Sequence, residues 1–275
     1  MAQLERLFRL EWHLKVPPTR RIQIIQMSDI HLGAKTHLKQ AFLDMVELIG
    51  KTRYVWWVGH GDLIENNTKT SVGEGVHEQY LEPEEQAEEI ADILYPIRKK
   101  CLGLARGNHE KRTSTTSGID VVNRLSRDLR VPRLMDHSLH TFCFDDVDKE
   151  YVLMVTHGKF GGSTDGGKRR AVENLVHIYD ADGYVYGHVH GLDTWKHIVM
   201  GNRFDRLRKF AINGSFMAYI DSYAQEAGYR PGFPGYISTF IGRDGVEFKK
   251  NYINWPHVPI RDMSGVKIGD ELVTV

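Results

Sequence analysis

Between residues 7 and 16, "LFRLEWHLKV", apolar side chains fall on every second position: Phe8, Leu10, Trp12, Leu14 and Val16. Successive side chains of an extended chain leave opposite faces, so this period predicts a half-buried strand, which Pro17 and Pro18 end. "RIQIIQMSD" predicts a second strand, "THLKQAFLDMVELIGK" an amphipathic helix and "YVWWVGHGD" a buried strand. "PEEQAEEIADILYPIRKK" reads as a helix bent near Pro96, and "CLGLARGNHE" as a strand that runs out into a loop. The first half is thus β-α-β-α-β, the order of parallel strands joined by helical crossovers.

The second half is patterned differently. A helix around "GIDVVNRLSRDL" is followed by "LHTFCFDD" and "YVLMVTHG", two strands of a hairpin about an acidic turn. A helix from about Lys168 to Tyr179 precedes the strand of "VYGHVHG". "TWKHIVM-GN-RFDRLRKFAI" and "GYISTFIG-RDG-VEFKKNYI" predict antiparallel hairpins with glycine in their turns. The expected sheet starts parallel and finishes antiparallel. From about Trp255 no period is visible, and an extended tail is expected.

Composition sharpens this. With 275 residues, 41% hydrophobic and 26% charged, the chain is expected to form one domain over 1–275. Thirty-six basic and 36 acidic residues cancel, so no global field holds a polyanion and any nucleic-acid contact must be local. Cys101 and Cys143 sit in apolar runs, which suggests buried thiols rather than a disulfide framework. Charges interrupt the apolar positions of "MAQLERLFRLEW", and no run is long enough to cross a bilayer. A soluble cytoplasmic protein with no membrane partner is expected, with self-association through the N-terminal strand or the tail left open.

Candidate chemistry lies where the strands end. They run out into Asp29 and His31, Asp62, Asn108 and His109, His157, and His188 and His190. In α/β sheets, functional residues gather at the carboxyl ends of strands. Each pair alone has a bland reading, a turn or a solvated strand end. The ordered set Asp-x-His, Gly-Asp-x-x-Glu, Gly-Asn-His-Glu, His-Gly and Gly-His-x-His does not. Carboxylate, amide and imidazole donors without thiolate suit manganese, iron, nickel or zinc.

These blocks, from Asp29 to His190, resemble those of the calcineurin-like metallophosphoesterases. The resemblance implies an α/β fold, a four-layered αββα sandwich of two mixed sheets flanked by helices. It implies two divalent metal ions, manganese first among the candidates, bridged by Asp62. Asp29, His31 and His190 would complete one site, and Asn108, His157 and His188 the other. His109 would stand beside the phosphate and protonate the leaving oxygen, with Glu65 in the place of an acid that orients it. Two divalent ions offset by two aspartates and a bridging hydroxide leave about one net positive charge, a centre that wants an anion. Phosphodiester hydrolysis through that hydroxide is the leading expectation, with nucleic acid as a candidate substrate. A phosphomonoesterase and a non-catalytic scaffold are the alternatives.

Several features need sorting from this set. "GDLIENN" lacks the arginine that the superfamily's protein serine/threonine phosphatases carry in this block. "GSTDGGKR" fits a P-loop until Arg169 stands where Ser or Thr should be, leaving Lys168, Arg169 and Arg170 as candidate substrate-binding cations or a solvated helix start. His60 reads as a core histidine or a group behind the metals, and His77 as a loop residue or a substrate contact. Arg206 and Arg208 share a strand face that could follow a nucleic-acid backbone or simply meet water.

Overall fold

Strand β1 (Arg6–Leu14) keeps the predicted alternation: Leu10 is buried, Phe8, Trp12 and Leu14 are partly buried, and Arg9, Glu11 and His13 are exposed. It runs parallel to β5 (Arg133–Phe144), and the Trp12 indole N–H donates to His140 Nδ1 at 3.2 Å. The computed structural model describes residues 6–253 except 70, 72–74, 145, 160–163, 201–204, 220–227 and 229–231, together with 267–268 and 271–272.

The parallel half forms as the pattern predicts. β2 (Ile22–Met27), β3 (Val55–His60) and β4 (Cys101–Ala105) lie side by side, linked by α1 (Lys39–Lys51) and α2 (Pro83–Leu94). Each helix buries one stripe at helical spacing, Phe42, Met45 and Ile49 in α1 and Gln86, Ile90 and Leu94 in α2. Pro83 opens α2, where its missing N–H costs nothing, and Glu82 and Glu85 cap each other's backbone. The bend expected at Pro96 appears as a change from α-helix to a tighter 3₁₀ turn, Tyr95–Lys100.

The stretch after β4 is not a loop. Asn108–Ser117 forms α3, with Gly118 left-handed at its end, and α4 (Val121–Leu129) follows with the Asp120 carboxylate capping Asn123 N. "NHEKRTSTTS" has no apolar stripe, so periodicity could not find α3. Its start is set by Glu110, whose buried carboxylate accepts from Gly107 N at 2.9 Å.

β5 begins at Arg133, six residues before the expected hairpin arm, and pairs antiparallel with β6 (Glu150–Thr156). α5 spans Asp165–Glu173, three residues earlier than expected because Thr164 caps Gly167 N at 3.2 Å, and its last turn tightens to 3₁₀ over Asn174–His177. β7 (Gly183–Tyr186) lies parallel to β6 and to β9 (Arg206–Ile212), and β8 (Asp193–Val199) pairs antiparallel with β9. β10 (Gly235–Gly242) and β11 (Gly245–Tyr252) form the last expected hairpin, which adds antiparallel to β2. Beyond it, Lys267–Ile268 and Glu271–Leu272 pair as two short strands, and Trp255 lies outside the described residues.

Eleven strands make one mixed sheet, in the order β11-β10-β2-β3-β4-β5-β6-β7-β9-β8 with β1 beside β5. The halves of this ladder, β11 to β4 and β5 to β8, are joined through one register pair, Leu104 with Arg133. One apolar cluster packs α1, α2 and α4 on β2, β3 and β4, and another packs α5 on β6, β7 and β9. Between them a third cluster takes Ile24 and Val58 from the first half and Leu153, Val185 and Ala211 from the second. Among the described residues no helix is long and apolar enough to cross a membrane.

His140 links this packing to pH. Burial, helped by the nearby His60, pushes it from the ordinary 6.5 down to about 3. The unfolded chain takes up a proton there below 6.5 and the folded chain does not until about 3. The stabilisation is therefore complete above 6.5 and lost as pH falls, by about 1.4 kcal/mol per pH unit. Urea denaturation of His140→Gln should show an acid slope shallower by about that amount between roughly pH 6 and 4. A slope equal to that of the parent would place the proton uptake elsewhere.

Candidate metal centre

The strand ends converge. Asp29, His31, Asp62 and His157 are buried and form a floor, while Asn108, His109, His188 and His190 are partly exposed at its mouth. His31 Nε2 lies 3.3 Å from His190 Nε2, which lies 3.2 Å from Asp29 Oδ1. On the other side, His157 Nε2 is 2.8 Å from Asn108 Oδ1 and 3.1 Å from Asp62 Oδ2. Among the described residues three groups of possible ligand atoms result, each within 4.8 Å: Asp29, His31 and His190; Asp62, His157 and His188; and His31, Asp62 and His109.

The backbone bends to achieve this. Asp29, His31, Asp62, His188 and His190 all have positive φ, between 48° and 66°. Left-handed backbone costs a side-chain-bearing residue on the order of 1 kcal/mol or more, and such strain persists where the surroundings over-determine it. Here Asp29 N and His31 N donate to the carbonyls of Gly61 and Asp62, both at 3.0 Å, locking two strand ends together. A side chain at Gly107 would occupy the space of Asp62 Oδ1, so the chain can pass there only as glycine.

Glu110 fastens the other end of that turn. Its carboxylate accepts from Asp62 N at 3.0 Å, Leu63 N at 2.6 Å and Ile64 N at 3.3 Å besides Gly107 N. Burial and the nearby Asp62 charge raise its pKa. Replacing it with Gln points an amide N–H₂ at backbone donors, and a buried donor left unmatched costs about 1–3 kcal/mol. Glu110→Gln should melt several degrees lower by calorimetry, at about 2–4 °C per kcal/mol for a chain of this size. An unshifted midpoint would mean that another acceptor holds the turn.

The donor set fits a cation. His31 Nδ1 faces Glu65 Oε2 at 2.8 Å and His157 Nδ1 faces the His60 carbonyl at 3.1 Å, so each Nδ1 carries the proton in the neutral ring and each Nε2 presents a lone pair. Around His157 Nε2 the neighbours are acceptors too, Asn108 Oδ1 and Asp62 Oδ2. Lone pairs facing lone pairs need a proton or a metal ion between them. Burial pushes His157 down, but the Asp62 and Asp29 carboxylates outweigh it and hold the ring up at about 9. Burial likewise opposes charge on Asp29 and Asp62, yet the imidazoles hold both below the usual carboxylate range.

A family model for the calcineurin-like phosphoesterases matches residues 22–192. The chain belongs to that family. No curated protein matches it by sequence. Among solved structures it is similar to zinc-complexed Vps29 of Entamoeba histolytica, at 14% identity over 85% of this chain and 100% of that one, TM-score 0.43. Vps29 of Cryptosporidium parvum gives 14%, 85% and 99%, with TM-score 0.43. A metallophosphoesterase of Sphaerobacter thermophilus gives 14%, 84% and 90%, with TM-score 0.39.

In this phosphoesterase, Glu65 is divided differently from expectation. Its carboxylate serves His31, and its backbone carbonyl meets His109 Nδ1 at 2.6 Å, with the carboxylate 3.6 Å from that nitrogen. Arg112 Nη2 lies 3.0 Å from His109 Nε2. Burial pushes His109 down to about 4, against the pull of Asp62 and Glu65.

Of the three candidate substrate cations, Lys168 is half-buried beside Gly191, Arg169 pairs with Asp193 at 2.7 Å, and Arg170 is exposed. Arg208 is buried, and both it and Arg206 pair with Asp180, so the two do not form an open basic track. His60 is fully buried behind the cleft, where burial pushes its pKa down to about 4 against the pull of Asp29, and His77 is exposed.

The sequence reading passed over Glu110, Asn66 and Asn213. Asn213 Nδ2 donates to Ser28 Oγ at 2.9 Å, and that hydroxyl donates to Asp29. Asn66 Nδ2 donates to the His109 carbonyl at 2.6 Å. Glu110 lay inside the quoted "GNHE" block, but Asn213 carries no local signal.

Proposed function

We propose that this calcineurin-like phosphoesterase is a phosphodiesterase that works with two divalent ions, manganese foremost, and that nucleic acid is its leading substrate class. Asp29, His31 and His190 would hold one ion, Asn108, His157 and His188 the other, and Asp62 both. The supporting observation is the place of Asp62, whose carboxylate belongs to two of the three ligand groups and so touches both sides of the cleft. When bound, the ions supply Lewis-acid charge to phosphate oxygens and bring the pKa of water toward neutrality.

The chain's own groups orient and exchange protons. Glu65 and the His60 carbonyl keep the Nε2 lone pairs of His31 and His157 aimed into the cleft. His109, at the mouth, faces the leaving oxygen and protonates it. Lys168, half-buried beside Gly191, the residue after His190, would draw in the anionic ester.

The deciding experiment compares bis-p-nitrophenyl phosphate with p-nitrophenyl phosphate after manganese loading. Chelator-sensitive hydrolysis that favours the diester is expected. Preference for the monoester would make the protein a phosphomonoesterase, and no release from either would favour a scaffold. Because 36 basic and 36 acidic residues cancel, the affinity for single-stranded DNA should fall only shallowly with salt. A steep slope in a salt titration would reveal many phosphate contacts and a basic groove formed by several copies.

A further inference from the structure

Arg112 stands on α3 four residues after Asn108, in the same cleft. Its Nη1 donates to the Glu65 carbonyl at 3.1 Å and to Asn67 Oδ1, and its Nη2 donates to His109 Nε2 at 3.0 Å. His109 Nδ1 faces a carbonyl and carries the proton, so Nε2 is an acceptor and all three partners of Arg112 are neutral. The nearest carboxylate oxygen beside it, Glu65 Oε1, is 3.9 Å away, and Glu65 already serves His31.

Other shielded arginines of this chain are matched by carboxylates. Arg133 reaches Asp120 at 3.4 Å, Arg243 reaches Asp146 at 2.6 Å, and Arg208 pairs with Asp180. Arg112, its side chain 24% exposed, has among the described residues only the longer 3.9 Å contact to Glu65, and its Nη2 edge meets a neutral imidazole. Two acceptors on Nη1 fix the guanidinium plane in advance, which lowers the cost of binding at the Nη2 edge. A planar fork whose second edge rests on a neutral, displaceable acceptor matches phosphate oxygens.

We propose that Arg112 is a phosphate-binding residue: its Nη2 edge passes from His109 Nε2 to a non-bridging oxygen of the scissile phosphate, leaving Nε2 to face the leaving oxygen. The inference rests on the phosphoesterase reading above and names a substrate contact within that site. Inorganic phosphate, a product-like anion, is its simplest probe.

The test titrates inorganic phosphate calorimetrically into manganese-loaded parent, Arg112→Gln and Arg112→Lys, and measures manganese content and KM for bis-p-nitrophenyl phosphate on the same preparations. Loss of a charge-assisted contact should weaken phosphate binding and raise KM about 10- to 100-fold in Arg112→Gln, with manganese content unchanged. Arg112→Lys should recover part of the loss, because an ammonium keeps the charge without the fork. Phosphate affinity equal to the parent's in folded, manganese-loaded Arg112→Gln would overturn the proposal, as would a parent that takes up no phosphate. A parent that hydrolyses neither ester yet loses phosphate affinity on substitution would end the phosphodiesterase reading and leave Arg112 in place.

Discussion

Asp62→Asn is expected to leave a folded chain that binds well under one manganese per molecule and turns over diesters at least about 10³-fold more slowly, the largest loss of any single ligand change. The carboxylate sits 3.1 Å from His157 Nε2 and 3.8 Å from His109 Nε2, and shares a ligand group with His31. An amide keeps the shape and one acceptor but removes the charge that attracts both cations. The backbone contacts survive, since Asp62 N donates to Glu110 and its carbonyl accepts from His31 N. Changes at Asp29 or His157 should each weaken mainly one ion. Metal analysis after gel filtration, read beside turnover of bis-p-nitrophenyl phosphate, checks this. Two retained ions with full turnover in Asp62→Asn would remove Asp62 from its shared role.

The strand ends were legible because they break a pattern: an apolar run stops and a polar pair follows, at Asp29 and His31 and again at His188 and His190. The left-handed backbone of these four residues was not legible, since contacts between distant segments accompany it: Asp29 N and His31 N donate to the Gly61 and Asp62 carbonyls, and His188 N donates to Asp29 Oδ1. Periodicity found β1 and the parallel half, whose faces are cleanly apolar, and missed α3, which is defined by a buried carboxylate rather than by a stripe. The join between the sheet halves depends on where β5 begins, and "RLMDH" at Arg133 carries no alternation that would announce a strand.

Strain and scaffolding meet at the same places. Five left-handed ligand candidates store local backbone energy, and the groups that hold them are buried polar side chains, Glu110 behind Asp62 and Asn213 behind Ser28 and Asp29. Such a cleft keeps its donors in place before any ion arrives, so the ions do not have to order the loops.

His109→Asn is expected to separate proton delivery from metal assembly. In the free protein His109 Nδ1 donates to the Glu65 carbonyl, and Nε2 accepts from Arg112. Nε2 must therefore take up a solvent proton when substrate binds, since the phosphate charge favours the imidazolium and a phosphate oxygen takes over the Arg112 N–H. An alkoxide is a poor leaving group, and general acid catalysis contributes on the order of 10² to 10⁴ in rate, whereas nitrophenolate leaves without much help. The variant should hold as much manganese as the parent and lose little on bis-p-nitrophenyl phosphate. It should lose about 10² or more on an unactivated dinucleotide diester. Parallel rate measurements on the two substrates decide it: equal losses with normal metal content would make His109 a positioning group for the phosphate, and no loss on either would take it out of the reaction.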